Sequence, residues 1–405
     1  MLLLLHPYKF TEYFYKKYDL DVLENKLRAR VEVHDLSNIV NPDWGEAFKG
    51  KRYKKAKVFN SISEWKSCFN KILAEEKNLV VYNLVDIHKL NSLIIHYIIF
   101  KSNVKVLQIR SLEACFCKTN LHKKINFKLI FKVIKLTFTN ISKILFYMKS
   151  KFFSKVVLFL KYKELFIIYA GKKKNINPNV LYPLNAEKTI YIKNHSFDYS
   201  KFLLNKKKLN KKKTSRKYIV FLDSVTPYFI GDKKLFKQKL NYEPAIWYRN
   251  LNNFLKKVEQ SFNAKIIIIP HPRVRGAYNP YYDRNFEICS ELNGSCKLIP
   301  KSKFVMAISA TTAVSYCVAN YKPIVLIFNE QLKKKNPTML IEMKYMSKVL
   351  NTSLINIDKT FTKDKLIKPI SKKIYDKYKY EYLTSKEINN KMNYDILNSY
   401  FFNRR

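Results

Sequence analysis

The segment KIIIIPHPRVRGAY, Lys265 to Tyr278, puts reactive side chains in a fixed place. An apolar run passes into Pro270-His271-Pro272. The two prolines stiffen the backbone on either side of His271, and Pro272 biases it away from helix. An imidazole held on such a turn can donate to a phosphate or ribose oxygen and, when protonated, offset developing negative charge. Arg273 follows at once, and a guanidinium suits bidentate contact with phosphate. A His-Pro pair on its own is equally an ordinary surface turn, so its companions decide.

Two further clusters stand where an apolar run gives way to a loop. KYIVFLD (217–223) ends in Asp223. KFVMAIS (303–309) ends in Ser309, with Thr311 and Thr312 at the start of the helical pattern ATTAVSYCVANY. Unpaired N–H groups and the positive dipole end at a helix start bind phosphate, and hydroxyls add donors. The same Ser-x-Thr-Thr is also a plain helix cap. In an open parallel sheet the carboxyl ends of strands share one edge, so residues distant in sequence converge there. His271, Arg273, Ser309, Thr311 and Thr312 would then form an anion site, with Asp223 beside it. The motifs GxGxxG, GxxxxGK[ST] and HExxH are missing, which argues against dinucleotide oxidoreduction, P-loop hydrolysis and zincin chemistry. With 6 glycines in the whole chain, phosphate has to be held by side chains and helix ends. No metal site and no cofactor are expected.

Positioning these groups requires alternating strands and crossover helices. In the first half, Leu2–Leu5, RVEVHDL (30–36), NLVVYNL (78–84) and VKVLQI (104–109) read as strands. Helical stretches separate them, one capped by Ser61 or Ser63, and ELFIIYAG closes the series. The second half repeats the alternation with KYIVFLD, the amphipathic EPAIWYRNLNNFLKKVEQSF, the Ile-rich strand, KFVMAIS and KPIVLIF (322–328). The expected fold class is α/β, two Rossmann-like domains facing a cleft. The expected boundaries are an N-terminal domain 1–205, a Lys-rich linker 206–217 (KKKLNKKKTSRK) and a C-terminal domain 218–405.

The 405 residues suffice for two cores. Lys+Arg 77 against Asp+Glu 31 gives +46. The excess is nearly all lysine, which disfavours nucleic acid as the partner and suits an anionic membrane surface or a phosphorylated substrate. Residues 121–163 interleave lysines with Ile, Leu, Phe and Val at helical spacing. They read as basic amphipathic helices able to lie on anionic lipid, or else as ordinary surface helices. The apolar opening MLLLL is too short and lacks the basic start of a signal peptide, and no window spans a bilayer. The 6 cysteines are scattered, with one CxC at Cys115 and Cys117 and no second pair. Buried thiols in a reducing cytoplasm are expected.

PHPR together with SKFVMAISATTAVSYCVANYKPIVLI resembles the carboxyl-terminal domain of GT-B glycosyltransferases that build bacterial capsules and lipopolysaccharide. NHSFDYSKFL (194–203) and VFLDSVTPYFIGD (220–232) look like segments of Kdo and nonulosonic acid transferases. The resemblance covers about 190–330, with the first half matching only in outline. It implies a CMP-activated acidic sugar as donor, with no cofactor and no metal. It also implies His271 and Pro272 as the His-Pro motif, and Ser309, Thr311 and Thr312 as the phosphate-holding hydroxyls. Asp223 is the nearest match to the aspartate nucleophile of retaining Kdo transferases, with Asp232 second. The Asp/Glu-Asp-Gly base motif of GT-B sialyltransferases is absent, so an inverting route would draw its base from Asp35, Asp86 or Glu113. A lipid-linked glycan acceptor would place the chain on the inner face of the cytoplasmic membrane. A UDP-sugar or CDP-polyol phosphate donor, and a non-catalytic RNA-binding role, are the competing readings.

Overall fold

The computed structural model describes residues 1–27, 30–42, 51–87, 89–110, 161–173, 186–209, 218–223, 243–272, 278–291, 293–309 and 311–401. Two parallel sheets make the α/β architecture expected from the sequence. The first contains β1 (Leu2–His6), β2 (Val31–Asp35), β3 (Lys57–Val58), β4 (Val80–Asn83), β5 (Lys105–Ile109), β6 (Tyr162–Ala170) and β7 (Ala186–Asn194), in the order β3-β2-β1-β4-β5-β6-β7. The second contains β8 (Tyr218–Leu222), β9 (Lys265–Ile269), β10 (Glu287–Ile288), β11 (Val305–Ala307), β12 (Ile324–Phe328) and β13 (Ser353–Asn356), in the order β10-β9-β8-β11-β12-β13.

The apolar runs become strands because parallel strands are covered on both faces. In β1, Leu3 and Leu5 pack on one face with Trp65 and Phe69. Leu2 and Leu4 pack on the other with Phe10, Leu20 and Leu23. The covering helices used below are α1 (Glu12–Lys17), α2 (Leu20–Leu27), α3 (Ile62–Glu75), α4 (Phe197–Leu209), α5 (Pro244–Phe262), α6 (Val314–Ala319) and α7 (Asn393–Phe401). Ser61 caps α3: its Oγ accepts from Glu64 N at 3.1 Å, while the Glu64 carboxylate accepts from Asn60 N, one residue before the cap, at 2.9 Å. Pro244 begins α5 and Asn263, at φ 43°, ends it. The buried Trp247, Leu251, Phe254, Leu255 and Val258 form its helical stripe.

The structure adds β7 and β13, which hydropathy did not single out. Among the described residues β7 is an edge strand paired with β6 alone, and its sequence AEKTIYIKN carries the charges that edges use against aggregation. The expected helix over ATTAVSYCVANY is shorter, Val314–Ala319.

The lobes exchange elements. Tyr199 and Phe202 of α4 belong to the core of the second sheet. Ile388 and, from α7, Ile396 and Leu397 return to the core of the first. The expected linker starts inside α4, since Lys206 is helical, and its residues 210–217 lie outside the described residues. Of the expected basic helices, 121–160 lie outside the described residues, and Tyr162 already opens β6. Among the described residues no helix is long and apolar enough to cross a membrane.

Candidate active site in the interlobe cleft

In each sheet the strand order reverses once: between β1 and β4 in the first, and between β8 and β11 in the second. Such reversals leave a crevice beyond the carboxyl ends of the strands. Both crevices open into one cavity of about 430 Å³ lined by residues of both lobes. The second lobe contributes Asp223, Pro270, His271, Pro272, Thr311 and Thr312 to its wall. Five of the eight site residues expected from sequence therefore converge, from three separate strand ends.

Asp223 follows β8 directly, and its N–H donates to Ile269 O at 3.0 Å, which sets it beside the Pro270–Pro272 turn. The residue is 8% exposed, and its Oδ1 accepts no hydrogen bond. Burial pushes the carboxyl up to about 7, against a smaller opposing effect of the Tyr282 hydroxyl. A carboxyl that titrates near neutral pH in a cleft between lobes has the environment of an acid–base or nucleophilic group.

The hydroxyl cluster is arranged differently from expectation. Thr311 and Thr312 line the cavity, while Ser309 lies outside its wall and accepts Thr311 N–H through its carbonyl at 2.9 Å. The amides of Val314 and Ser315 are bonded to Thr311 O and Thr312 O. Ala313 N–H reaches Thr311 Oγ1 at 3.4 Å. Because the local turn consumes these amides, the threonine hydroxyls are left as the chief donors instead of a cradle of open N–H groups.

Arg273, Asp232 and Glu113 lie outside the described residues. Asp35 is committed to structure: Oδ2 accepts from Phe10 N at 3.0 Å and pairs with Arg52 Nε at 3.1 Å, while Oδ1 accepts from Ser37 N at 3.0 Å. A carboxylate spent on loop amides and a guanidinium is poorly placed to take a substrate proton, and Asp86 does not line the cavity. Lys322, at the Lys-Pro start of β12, is buried and donates to Ser302 O at 2.8 Å, at the opposite end of the strands from the cleft. His195 in NHSFDYSKFL is also structural. Its N–H donates to Asn393 Oδ1 at 3.0 Å, and its ring lies 2.7 Å from both Thr384 Oγ1 and Lys391 O, fastening the returning carboxyl-terminal segment.

The sequence reading missed the first-lobe wall, formed by His6, Tyr8, Tyr13, Phe14, Lys17 and Tyr18. One signal was present: LLLLHP in β1 repeats the pattern of IIIIPHP in β9, an apolar strand running into His-Pro. Burial pushes the His6 imidazole down to about 4, so it is neutral at ordinary pH. Also missed was Asp198, on the first turn of α4, whose Oδ1 accepts from Tyr316 Oη at 3.2 Å in the cavity wall.

Away from the cleft, one group among the described residues has metal-ligand chemistry. Ligand atoms of Glu32, His34 and Cys68 lie within 4.8 Å of one another. Trp65 Nε1 donates to His34 Nδ1 at 3.2 Å, and His34 Nε2 lies 2.9 Å from Glu32 Oε1. An indole N–H can only donate, so His34 keeps its proton on Nε2, the atom a metal would need. The His34 contacts to Trp65 and Glu32 make the group a hydrogen-bond network.

No family profile and no curated protein matches the chain. Similar solved structures include the wall teichoic acid polymerase TagF, at 12% identity and TM-score 0.47 over 98% of this chain and 90% of that one. A UDP-N-acetylglucosamine 2-epimerase from Rickettsia bellii matches at 11% identity and TM-score 0.40, over 99% and 96% of the two chains. MurG from Acinetobacter baumannii matches at 9% identity and TM-score 0.37, over 98% and 92%.

Proposed function

We propose that this chain is a glycosyltransferase that moves a sugar from a nucleotide-activated donor, held by the second lobe, to a glycan acceptor presented by the first. The observation that carries the reading is Asp223: a buried carboxyl raised to about 7, with one oxygen unpartnered, at the shared mouth of two strand-order reversals. His271 and the Thr311 and Thr312 hydroxyls stand where they can meet the departing phosphate, and Arg273 follows in sequence. Ionised Asp223 then attacks the anomeric carbon or takes the acceptor's proton. Either role needs the carboxylate form.

For the donor we propose a CMP-linked acidic sugar of the Kdo or nonulosonic type, on the strength of the His-Pro and Ser/Thr resemblance. The product would be a cell-surface glycan such as capsule or lipopolysaccharide. Peripheral attachment to the cytoplasmic membrane face is supported by the net charge of +46 and the lysine and aromatic pattern of 121–163.

Thermal-shift titration tests the donor. A ligand that binds only the native state raises apparent stability, so CMP should raise Tm and UDP or CDP should not. A shift with UDP or CDP in place of CMP would replace the donor. A shift with RNA and with no nucleotide would sink the enzyme reading.

A further inference from the structure

We infer that the second lobe carries a second saccharide site, a groove along the outer side of α5 that takes a neutral di- or oligosaccharide by its hydroxyls. The groove stands on its own geometry. That its occupant is a neutral stretch of the acceptor glycan rests on the reading of the cleft as a glycosyltransferase site.

The sequence of α5 builds one wall. Trp247, Leu251, Phe254, Leu255 and Val258 are spent on the core. Beside that stripe Asn250, Asn253, Lys257 and Gln260 recur at spacings of three and four, which makes a polar stripe on the same helix. The facing wall is the turn after β13, Ile357 to Phe361, and the space between the two is about 400 Å³, within the range of small-ligand pockets. It shares no lining residue with the cleft cavity. The turn is fixed before any ligand arrives. Asp358 Oδ1 accepts from Asn250 Nδ2 at 2.9 Å and Oδ2 from Glu330 N at 2.8 Å, while Asn356 accepts Asp358 N through Oδ1 and Lys359 N through its carbonyl, both at 3.1 Å. Phe361 meets the buried Phe254 edge-on at 5.2 Å. Walls already held by their neighbours lose little freedom on binding.

The lining side chains select the ligand. Asn253, Gln260 and Thr360 make no side-chain hydrogen bond among the described residues and line the groove from both sides. An amide offers donors and an acceptor together, and a hydroxyl is both at once, which matches sugar hydroxyls, themselves donors and acceptors. Phe254, Ile357 and the half-buried Phe361 supply an apolar part for the C–H face of a pyranose. The charged groups of the wall are Lys257, Lys359 and Asp358. A carboxylate beside the lysines opposes a phosphate dianion, whereas both ammonium groups can still donate to a neutral hydroxyl.

The test titrates the full-length protein, by ligand-observed NMR, with cellobiose, maltose, lactose and N,N′-diacetylchitobiose, each with and without saturating CMP, and separately with inorganic phosphate. At least one disaccharide should bind wild type, and CMP should not displace it. Asn253→Ala combined with Gln260→Ala changes two exposed helix positions to the best helix former. Tm should hold, and affinity should fall about tenfold or more, the loss expected of two hydrogen bonds. Thr360→Trp, which fills the groove from the facing wall, should remove binding as well. Binding that survives both variants, or that CMP displaces, lies elsewhere and overturns the inference. So does the failure of all four disaccharides to bind, and so does phosphate binding that Lys257→Gln abolishes, which would make the groove an anion site. If the disaccharide behaves as stated while CMP fails to bind wild type, the donor reading of the cleft falls and the saccharide groove stands.

Discussion

Replacing Asp223 by Asn should make the protein more stable and inactive at once, and the stability gain should grow with pH. The carboxyl is raised from 3.8 to about 7 by burial. Below about pH 4 it is protonated in both folded and unfolded chains and costs nothing. Between 4 and 7 only the unfolded chain ionises, so wild-type stability falls by about 1.4 kcal/mol per pH unit. Above 7 the loss levels off at about 4 kcal/mol. Asparagine has the same shape and no such dependence. Its own hydrogen-bonding adds a constant offset, so the diagnostic quantity is the change in the difference. That change should be about 2 to 3 kcal/mol between pH 5 and pH 8, in favour of the variant. Denaturation midpoints of both proteins across this range measure it. Parallel curves would mean that the carboxyl is solvated, and the argument from burial would fail. Turnover supplies the second half of the test: wild-type rate should rise through about pH 7 as the carboxylate forms, and Asp223→Asn should lose it.

Other perturbations reach separate parts of the reasoning. His271→Ala should abolish turnover and weaken CMP binding with little change in Tm, and near-normal activity would dismiss the His-Pro assignment. Lys201 of α4 pairs with Asp19 between α1 and α2, both of them buried, with Ser200 Oγ also donating to Asp19 at 3.2 Å. Lys201→Met should therefore destabilise by about 3 to 5 kcal/mol by stranding a buried carboxylate, measured as a shift in urea midpoint. Burial already pushes Asp19 up, so this loss should be smaller at pH 5 than at pH 8. Gly171 has φ +67°, and a Cβ there would stand 2.1 Å from Glu381 O. Gly171→Ala should cost about 2 kcal/mol or more and expose the carboxyl-terminal segment to limited proteolysis. An unchanged cleavage pattern would mean that this contact does not hold the segment.

Most of the fold could be read before the structure because its strongest strands are nearly uninterrupted runs of Leu, Ile and Val, and burial on both faces demands such runs. LLLL, VVY and IIII were legible for that reason, and so was the convergence of Asp223, His271, Thr311 and Thr312, since parallel strands place all their carboxyl ends on one side. The edge strand β7 was obscured by its charges. Nothing local distinguishes the carboxylate of Asp35, spent on loop amides, from that of Asp223, left with an open oxygen. That difference arises from long-range packing, which brings Phe10 and Arg52 to one and buries the other beside Tyr282.

The sequence by itself determined the parallel sheets, the strand ends and the stiff His271 turn, because periodicity and proline act over a few residues. Only the tertiary structure decided that a second His-Pro faces the first across the cleft, that α1 turns Phe14, Lys17 and Tyr18 into it, and that Asp223 is desolvated. Those are properties of the space between lobes, set by residues far apart in the chain, and burial there is what moves a carboxyl to neutral pH.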